Sequence, residues 1–306
     1  MMSKMKNIFL KTTGYFFLAT MLFSCTDYVS ETNVDPDLIT EADAKNLFQG
    51  VLLANQFFQT SSNTRDVMIW LNQANGENRQ YVSLNDWNLS TASTFDDSWN
   101  QAYVNCITNA KLTAAKATKE LNPRLVGAAQ VIEAHCMGTV TSLWGDAPYS
   151  ELDITGGNLA PKYDSQKVIY VQILKWLDDA NADLATVIAR GETVSGDFYF
   201  GGDLKKWQKV VNAYRLRVLI TLSKKDTDAE LGVKAKFAEM VSNSTKYPLL
   251  GSNAESLQFV WNSFNKYPSN PDNFGFDATR QNMASTYVGF LSSTQDPRVM
   301  VTCEPA

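Results

Sequence analysis

The stretch Gln130–Glu151, Q-V-I-E-A-H-C-M-G-T-V-T-S-L-W-G-D-A-P-Y-S-E, decides how this chain folds. Ala128, Val131, Ile132, His135 and Thr139 recur at spacings of three and four, which predicts a helix with one apolar stripe. The pattern stops at Leu143-Trp144-Gly145-Asp146-Ala147-Pro148-Tyr149-Ser150. Gly145 suits a left-handed position at a helix C-terminus and Pro148 cannot continue a helix, so two independent backbone effects place a sharp corner here. Trp144 and Tyr149 flank the corner, and their expected role is to pack it against a neighbouring helix, because large aromatics usually supply core area.

Working outward, the same helical period recurs through most of the chain. Thr40-Glu41-Ala42-Asp43 resembles a capping box, and Leu47, Phe48, Val51, Leu52 and Phe58 predict a first helix from Glu41 to Phe58. A second is expected from Phe95 to Leu121, with Asp96 and Asp97 in its first turn and a stripe of Trp99, Tyr103, Ile107, Ala110 and Ala114. Asn122-Pro123 ends it in a tight turn, so the helix of the corner returns antiparallel. Beyond the corner, Asp164 or Ser165 caps a helix running to Ala189, closed by Arg190-Gly191. Asp203 caps another, carrying Val210, Val211, Tyr214, Val218 and Leu222, and a last one spans Asp228 to Ser242. Paired helices of this kind predict an all-α fold, mainly helical: a tetratricopeptide-like paired-helix stack with long irregular aromatic-rich loops.

The 306 residues are 44% hydrophobic and 19% charged, a globular balance. Met1 to Ser24 reads as a signal peptide, with Lys4, Lys6 and Lys11 ahead of the apolar run Tyr15–Phe23. Leu22-Phe23-Ser24-Cys25 resembles a bacterial lipobox, which makes Cys25 the expected lipidation site and 25–39 a polar, lipid-anchored tether before a helical domain over 40–306. The formal net charge is −5, and loss of residues 1–24 takes it to −8. That argues against nucleic acid as a partner, since no basic patch is available for phosphates.

Two regions break the helical pattern. Thr60–Asp97 reads as a polar loop in which Trp70, Tyr81 and Trp87 are interleaved with Asn75, Asn78, Arg79 and Asn85. Tyr247–Asn282 is dense in Pro, Asn, Ser and aromatics, among them Trp261 and Tyr267. Flat rings offer faces on which sugar C–H patches stack, while Asn, Asp and Arg supply the multidentate hydrogen bonds that hydroxyls require. The ligand-binding candidates are therefore Trp70, Arg79, Tyr81, Trp87, Trp261, Asn262 and Tyr267.

The corner, with its W-G-D-x-P-Y-S wording, resembles the signature segment of the SusD/RagB family of surface nutrient-binding lipoproteins. Four further segments resemble that family's landmarks in order: Trp99–Tyr103; Pro161-Lys162-Tyr163-Asp164 leading into Ile169-Tyr170; Gly202–Trp207 continuing to Asn212–Arg217; and Asp296-Pro297-Arg298. The resemblance implies a glycan-capturing lipoprotein on the outer membrane surface of a Gram-negative cell, delivering oligosaccharide to a SusC-like TonB-dependent transporter. Within the resembled family peptide capture is the alternative; a glycoside hydrolase with two facing carboxylates is a third reading. Family members are longer, so the chain reads as lacking its C-terminal part.

No catalytic set can be nominated. His135 is the only histidine and lies on an apolar stripe, where a satisfied core imidazole is the expected role. One histidine rules out multi-His metal centres, and neither an enzyme activity, a metal nor a cofactor is implied. Cys106 and Cys136 fall on adjacent antiparallel helices, where a disulfide and a pair of buried thiols are both open.

Overall fold

The computed structural model describes residues 42–60, 62–76, 82, 84–86, 96–120, 122–153, 157–264 and 281–302. The expected signal peptide, Cys25 and the tether lie outside them. The fold is all-α, a tetratricopeptide-like stack of paired helices, as the periodicity predicts. Its principal members are α1 (Ala44–Thr60), α2 (Ser62–Trp70), α3 (Asp96–Asn100), α4 (Thr108–Lys119), α5 (Pro123–Trp144), α6 (Gln166–Ala189), α7 (Leu204–Thr221) and α8 (Val233–Ser242). Successive helices lie side by side: α4 packs on α5, α5 on α6, α6 on α7 and α7 on α8, with α1 laid across α4 and α5. Short strands staple the loops. β1 (Ala74–Gly76) pairs antiparallel with β4 (Gln281–Met283), and β2 (Ala147–Pro148) with β3 (Tyr163–Asp164).

The corner after α5 is held by the Asp164 carboxylate. Its Oδ2 accepts from the N–H groups of Tyr149 (3.2 Å) and Ser150 (2.6 Å), and its Oδ1 from the Ser150 hydroxyl (2.7 Å). Gly145 turns the chain at φ 77°, and Asp146 accepts from the Gln166 N–H at the start of α6. Both flanking aromatics pack as expected: Trp144 meets Trp99 edge-on at 5.3 Å, and buried Tyr149 meets Trp176 at 4.6 Å. With Asp164 occupied in this way, Ser165 is the N-cap of α6.

The other landmark segments serve the core too. Trp207, fully buried, donates its indole N–H to Asp197 Oδ2 at 2.8 Å. The same carboxylate takes the N–H groups of Tyr199, Phe200 and Gly202, which folds the loop before α7 around one buried acid. Gly202 sits at φ 96°, where a Cβ would strike the Val194 carbonyl. Asp203 caps α7 as expected. Asn212 donates to Asn181 Oδ1 (2.9 Å) and the Pro248 carbonyl (3.1 Å), while Arg215 pairs with Asp178 at 2.7 Å.

Four expectations are corrected. The first helix starts at Ala44 rather than Glu41, because the Asp43 carboxylate takes the Asn46 N–H and so closes the first turn. The region 60–97 is not loop throughout: α2 forms within it. Its buried positions include Asp66 as well as Ile69, so the apolar period was hidden by a buried acid. The helix expected over 95–121 is interrupted by a π-helical segment, Gln101–Ile107, in which the Thr108 N–H reaches back five residues to the Tyr103 carbonyl. The wider turn rotates the buried stripe onto Cys106, Ala110, Thr113 and Ala117, leaving Ala114 at its edge. Finally, α8 begins at Val233 instead of Asp228, since Asp228 caps a separate turn and Gly232 adopts φ 57°. Cys106 and Cys136 form a disulfide, with Cα atoms 6.7 Å apart, tying the π segment to α5.

Candidate functional site

A cleft of about 340 Å³ opens between α1 and the π segment with α4. Gly50, Leu53, Ala54 and Phe57 of α1 form one wall at spacings of three and four, and Gln101, Asn105 and Asn109 form the other at spacings of four. The space above Gly50 is open, since a Cβ there would meet nothing within 4 Å. Asn109 uses one amide proton on the Asn105 carbonyl at 2.8 Å. Three primary amides on one wall and an aromatic ring on the other combine planar donors and acceptors with an apolar face, the pairing that polyhydroxylated ligands need.

Trp261 adjoins this cleft through Phe57, whose ring it meets edge-on at 5.6 Å. Behind it a relay of rings runs into the core: Trp261 to Phe259 at 4.9 Å, Phe259 to Tyr199 at 6.0 Å, and Tyr199 to Trp207 at 6.0 Å. Edge-to-face contacts of this kind stiffen each ring against the next. Trp261 is thereby positioned by the core although it lies in an irregular segment. Asn262 spends its side-chain carbonyl on the Phe264 N–H at 2.9 Å and so shapes the turn. Phe264 itself stands 94% exposed.

Of the other candidates, Trp70 ends α2 and packs with Met68 on a small separate cluster of Ile69, Ala74 and Leu84. Trp70 and Trp261 thus belong to different apolar groups. Arg79, Tyr81, Trp87 and Tyr267 lie outside the described residues. The amide wall of Gln101, Asn105 and Asn109 was missed by the sequence reading, although its four-residue spacing is visible in the chain. So was Phe264.

Buried chemistry occurs away from the cleft. The Tyr149 hydroxyl donates to Glu133 on α5, and Lys111 lies 4.0 Å from the centre of the Tyr149 ring. Burial pushes the Glu133 carboxyl up to about 7, against the opposing pull of the Tyr149 hydrogen bond and Lys111. His135 Nδ1 sits 3.1 Å from Asn55 Oδ1, an acceptor, so that nitrogen carries the proton. Burial, and then the charge of Arg217, lower its basicity to about 4. Among the described residues no group of three or more His, Cys, Asp or Glu side chains could hold a metal ion. None of their helices is long and apolar enough to cross a membrane.

A family model described as "Starch-binding associating with outer membrane", SusD-like, matches residues 36–306. Solved structures agree. An outer membrane protein of Bacteroides vulgatus, associated with nutrient binding, is 28% identical over 84% of this chain and 52% of its own, with a TM-score of 0.67. A SusD/RagB family protein of Bacteroides thetaiotaomicron is 23% identical over 84% of this chain and 53% of its own, with a TM-score of 0.70. A chitin-binding SusD homologue of Flavobacterium johnsoniae is 19% identical over 84% and 53%, with a TM-score of 0.68. The chain spans about half the length of these solved relatives. No curated protein matches it.

Proposed function

The chain belongs to the SusD-like family of outer-membrane-associated starch-binding proteins, and on that premise we propose that it captures oligosaccharide at the cell surface and passes it to a SusC-like TonB-dependent transporter. The observation that carries the binding part is the juxtaposition of the core-braced Trp261–Phe57 pair with the amide-lined cleft of Gln101, Asn105 and Asn109. Sugar rings would stack on the aromatics while their hydroxyls exchange hydrogen bonds with the amides. Arg79, Tyr81, Trp87, Asn262 and Tyr267 stay in this reading as loop contributors, and Trp70 as one from the end of α2. Lipidation of Cys25 in the Leu22-Phe23-Ser24-Cys25 lipobox would hold the protein at the membrane without spanning it.

The test is a glycan array probed with the lipid-free chain, alongside Trp261→Ala and an Asn105→Ala/Asn109→Ala double variant whose melting temperatures are checked first. Binding should weaken several-fold to tenfold in each. A folded protein that binds no glycan, or whose binding ignores both variants, overturns the assignment of this cleft; retained binding of peptides would then favour peptide capture. Surface labelling should disappear in Cys25→Ala, and unchanged surface retention would refute the anchor.

A further inference from the structure

A second cavity, of about 240 Å³, lies between α5 and α7, with Gln59 of α1 and Tyr170 of α6 at its margins. Its two main walls are built alike. His135, Thr139 and Ser142 face it from α5 at steps of four and three, and Tyr214, Arg217 and Thr221 face it from α7 at steps of three and four. Elsewhere in the stack such spacings carry mostly Ile, Leu, Val and Ala into the core. Here they carry hydroxyls, an imidazole and a guanidinium, with Leu143 and Val218 beside them, around an open space. A paired-helix interface gains nothing in packing from such a lining.

The polar groups are partly committed in a way that leaves a defined remainder. His135 presents Nδ1–H to Asn55, and its Nε2 has no hydrogen bond among the described residues. With the ring neutral near pH 7, that nitrogen is a bare acceptor awaiting a hydroxyl donor. Ser142 and Tyr170 share a hydrogen bond at 3.2 Å, the Ser142 hydroxyl also reaches the Gly138 carbonyl, and Tyr214 donates to the Ala134 carbonyl. Arg217 is exposed, and its guanidinium forms no ion pair or hydrogen bond with another described side chain. No carboxylate lines the cavity among the described residues, so its one fixed charge is positive.

We propose that this cavity is a second ligand site, separate from the aromatic cleft, for a monosaccharide-sized hydroxylated carboxylate of the hexuronate class. The carboxylate pairs with Arg217, whose planar fork suits it bidentately, and a ring hydroxyl donates to His135 Nε2. The volume lies below the roughly 300–1,000 Å³ of pockets that take drug-sized ligands, which fits one sugar unit. Gly138 contributes by absence of a side chain, since a Cβ there would collide with the Tyr214 hydroxyl.

The experiment is a calorimetric titration of the full chain near pH 7 and low salt with D-glucuronate, D-glucose and acetate, repeated with Arg217→Gln, Arg217→Lys and Trp261→Ala. Glucuronate should bind, glucose and acetate at least roughly tenfold more weakly, and Arg217→Gln should lose roughly tenfold or more without a change in melting temperature. Arg217→Lys should fall between, having kept the charge and lost the fork, and Trp261→Ala should bind glucuronate normally. The site is refuted if glucuronate does not bind, if glucose binds equally well, or if Arg217→Gln binds like the wild type. A blank glycan array with normal glucuronate binding would refute the aromatic cleft alone.

Discussion

Asp164 holds Ser150 twice, through the backbone N–H at 2.6 Å and through the hydroxyl at 2.7 Å, although 14 residues separate them. With the Tyr149 N–H added, the two oxygens of one carboxylate accept three hydrogen bonds from a turn whose donors have no helix or sheet to satisfy them. Burial alone would push this carboxyl up; the bonds from Ser150 and Tyr149 more than reverse it and hold it below the usual range. Asp164→Ala should therefore cost about 3 kcal/mol in chemical denaturation. Asp164→Asn should cost less at neutral pH. The wild-type contribution persists above the ordinary carboxylate range near 3.8 and disappears as pH falls below it.

Glu133 has the opposite sign. Its folded-state value near 7 lies above the ordinary 4.5, so the native chain binds the extra proton between them and stability falls as pH rises through that window. Glu133→Gln, which keeps an acceptor for Tyr149, should flatten that slope, removing on the order of 3 kcal/mol of variation. Denaturation midpoints at pH 5 and pH 7.5 measure it, and an unchanged slope in the variant would refute it.

His135, two residues further along α5, should act in the other direction. Its value is lowered from 6.5 to about 4, so its contribution is complete above 6.5 and is lost as pH falls toward 4. His135→Asn should remove that acid-side loss. Near neutral pH its effect should be smaller, since an amide can still bond Asn55.

The Cys106–Cys136 disulfide closes a loop with a sequence separation of 30. The double Cys→Ser variant should unfold about 3–4 kcal/mol more easily, with the entropy of the unfolded loop as the main source. Dithiothreitol should lower the melting temperature of the wild type and leave the variant where it is.

Most of the stack was legible because its helices advertise themselves. The stripe through Ala128, Val131 and Ile132, the cap at Asp203 and the break at Gly145 are local signals, and each landed where expected; His135, expected as a satisfied core imidazole, instead lines a cavity between α5 and α7. What stayed hidden depends on residues far apart or on one extra residue in a turn. No spacing rule announces that Asp164 would leave helix capping to Ser165 and clasp the preceding corner. The π segment shifted the stripe after Ile107, which also brought Asn105 and Asn109 to the cleft wall. Alpha-helix α2 escaped notice because Asp66, a residue type that usually marks a solvated face, is buried. For the candidate site, Trp261 was visible as an aromatic in a polar loop, but its bracing by Phe57 and Phe259 is a three-dimensional fact.

The corner clasp and the Asp197–Trp207 bond place the most recognisable words of this sequence in the service of architecture. Trp144 is committed to Trp99, Tyr149 to Trp176 and Asp164, and Trp207 to Asp197. Substitutions in the irregular segments that leave these contacts in place therefore leave the frame intact, as tools changed on one handle.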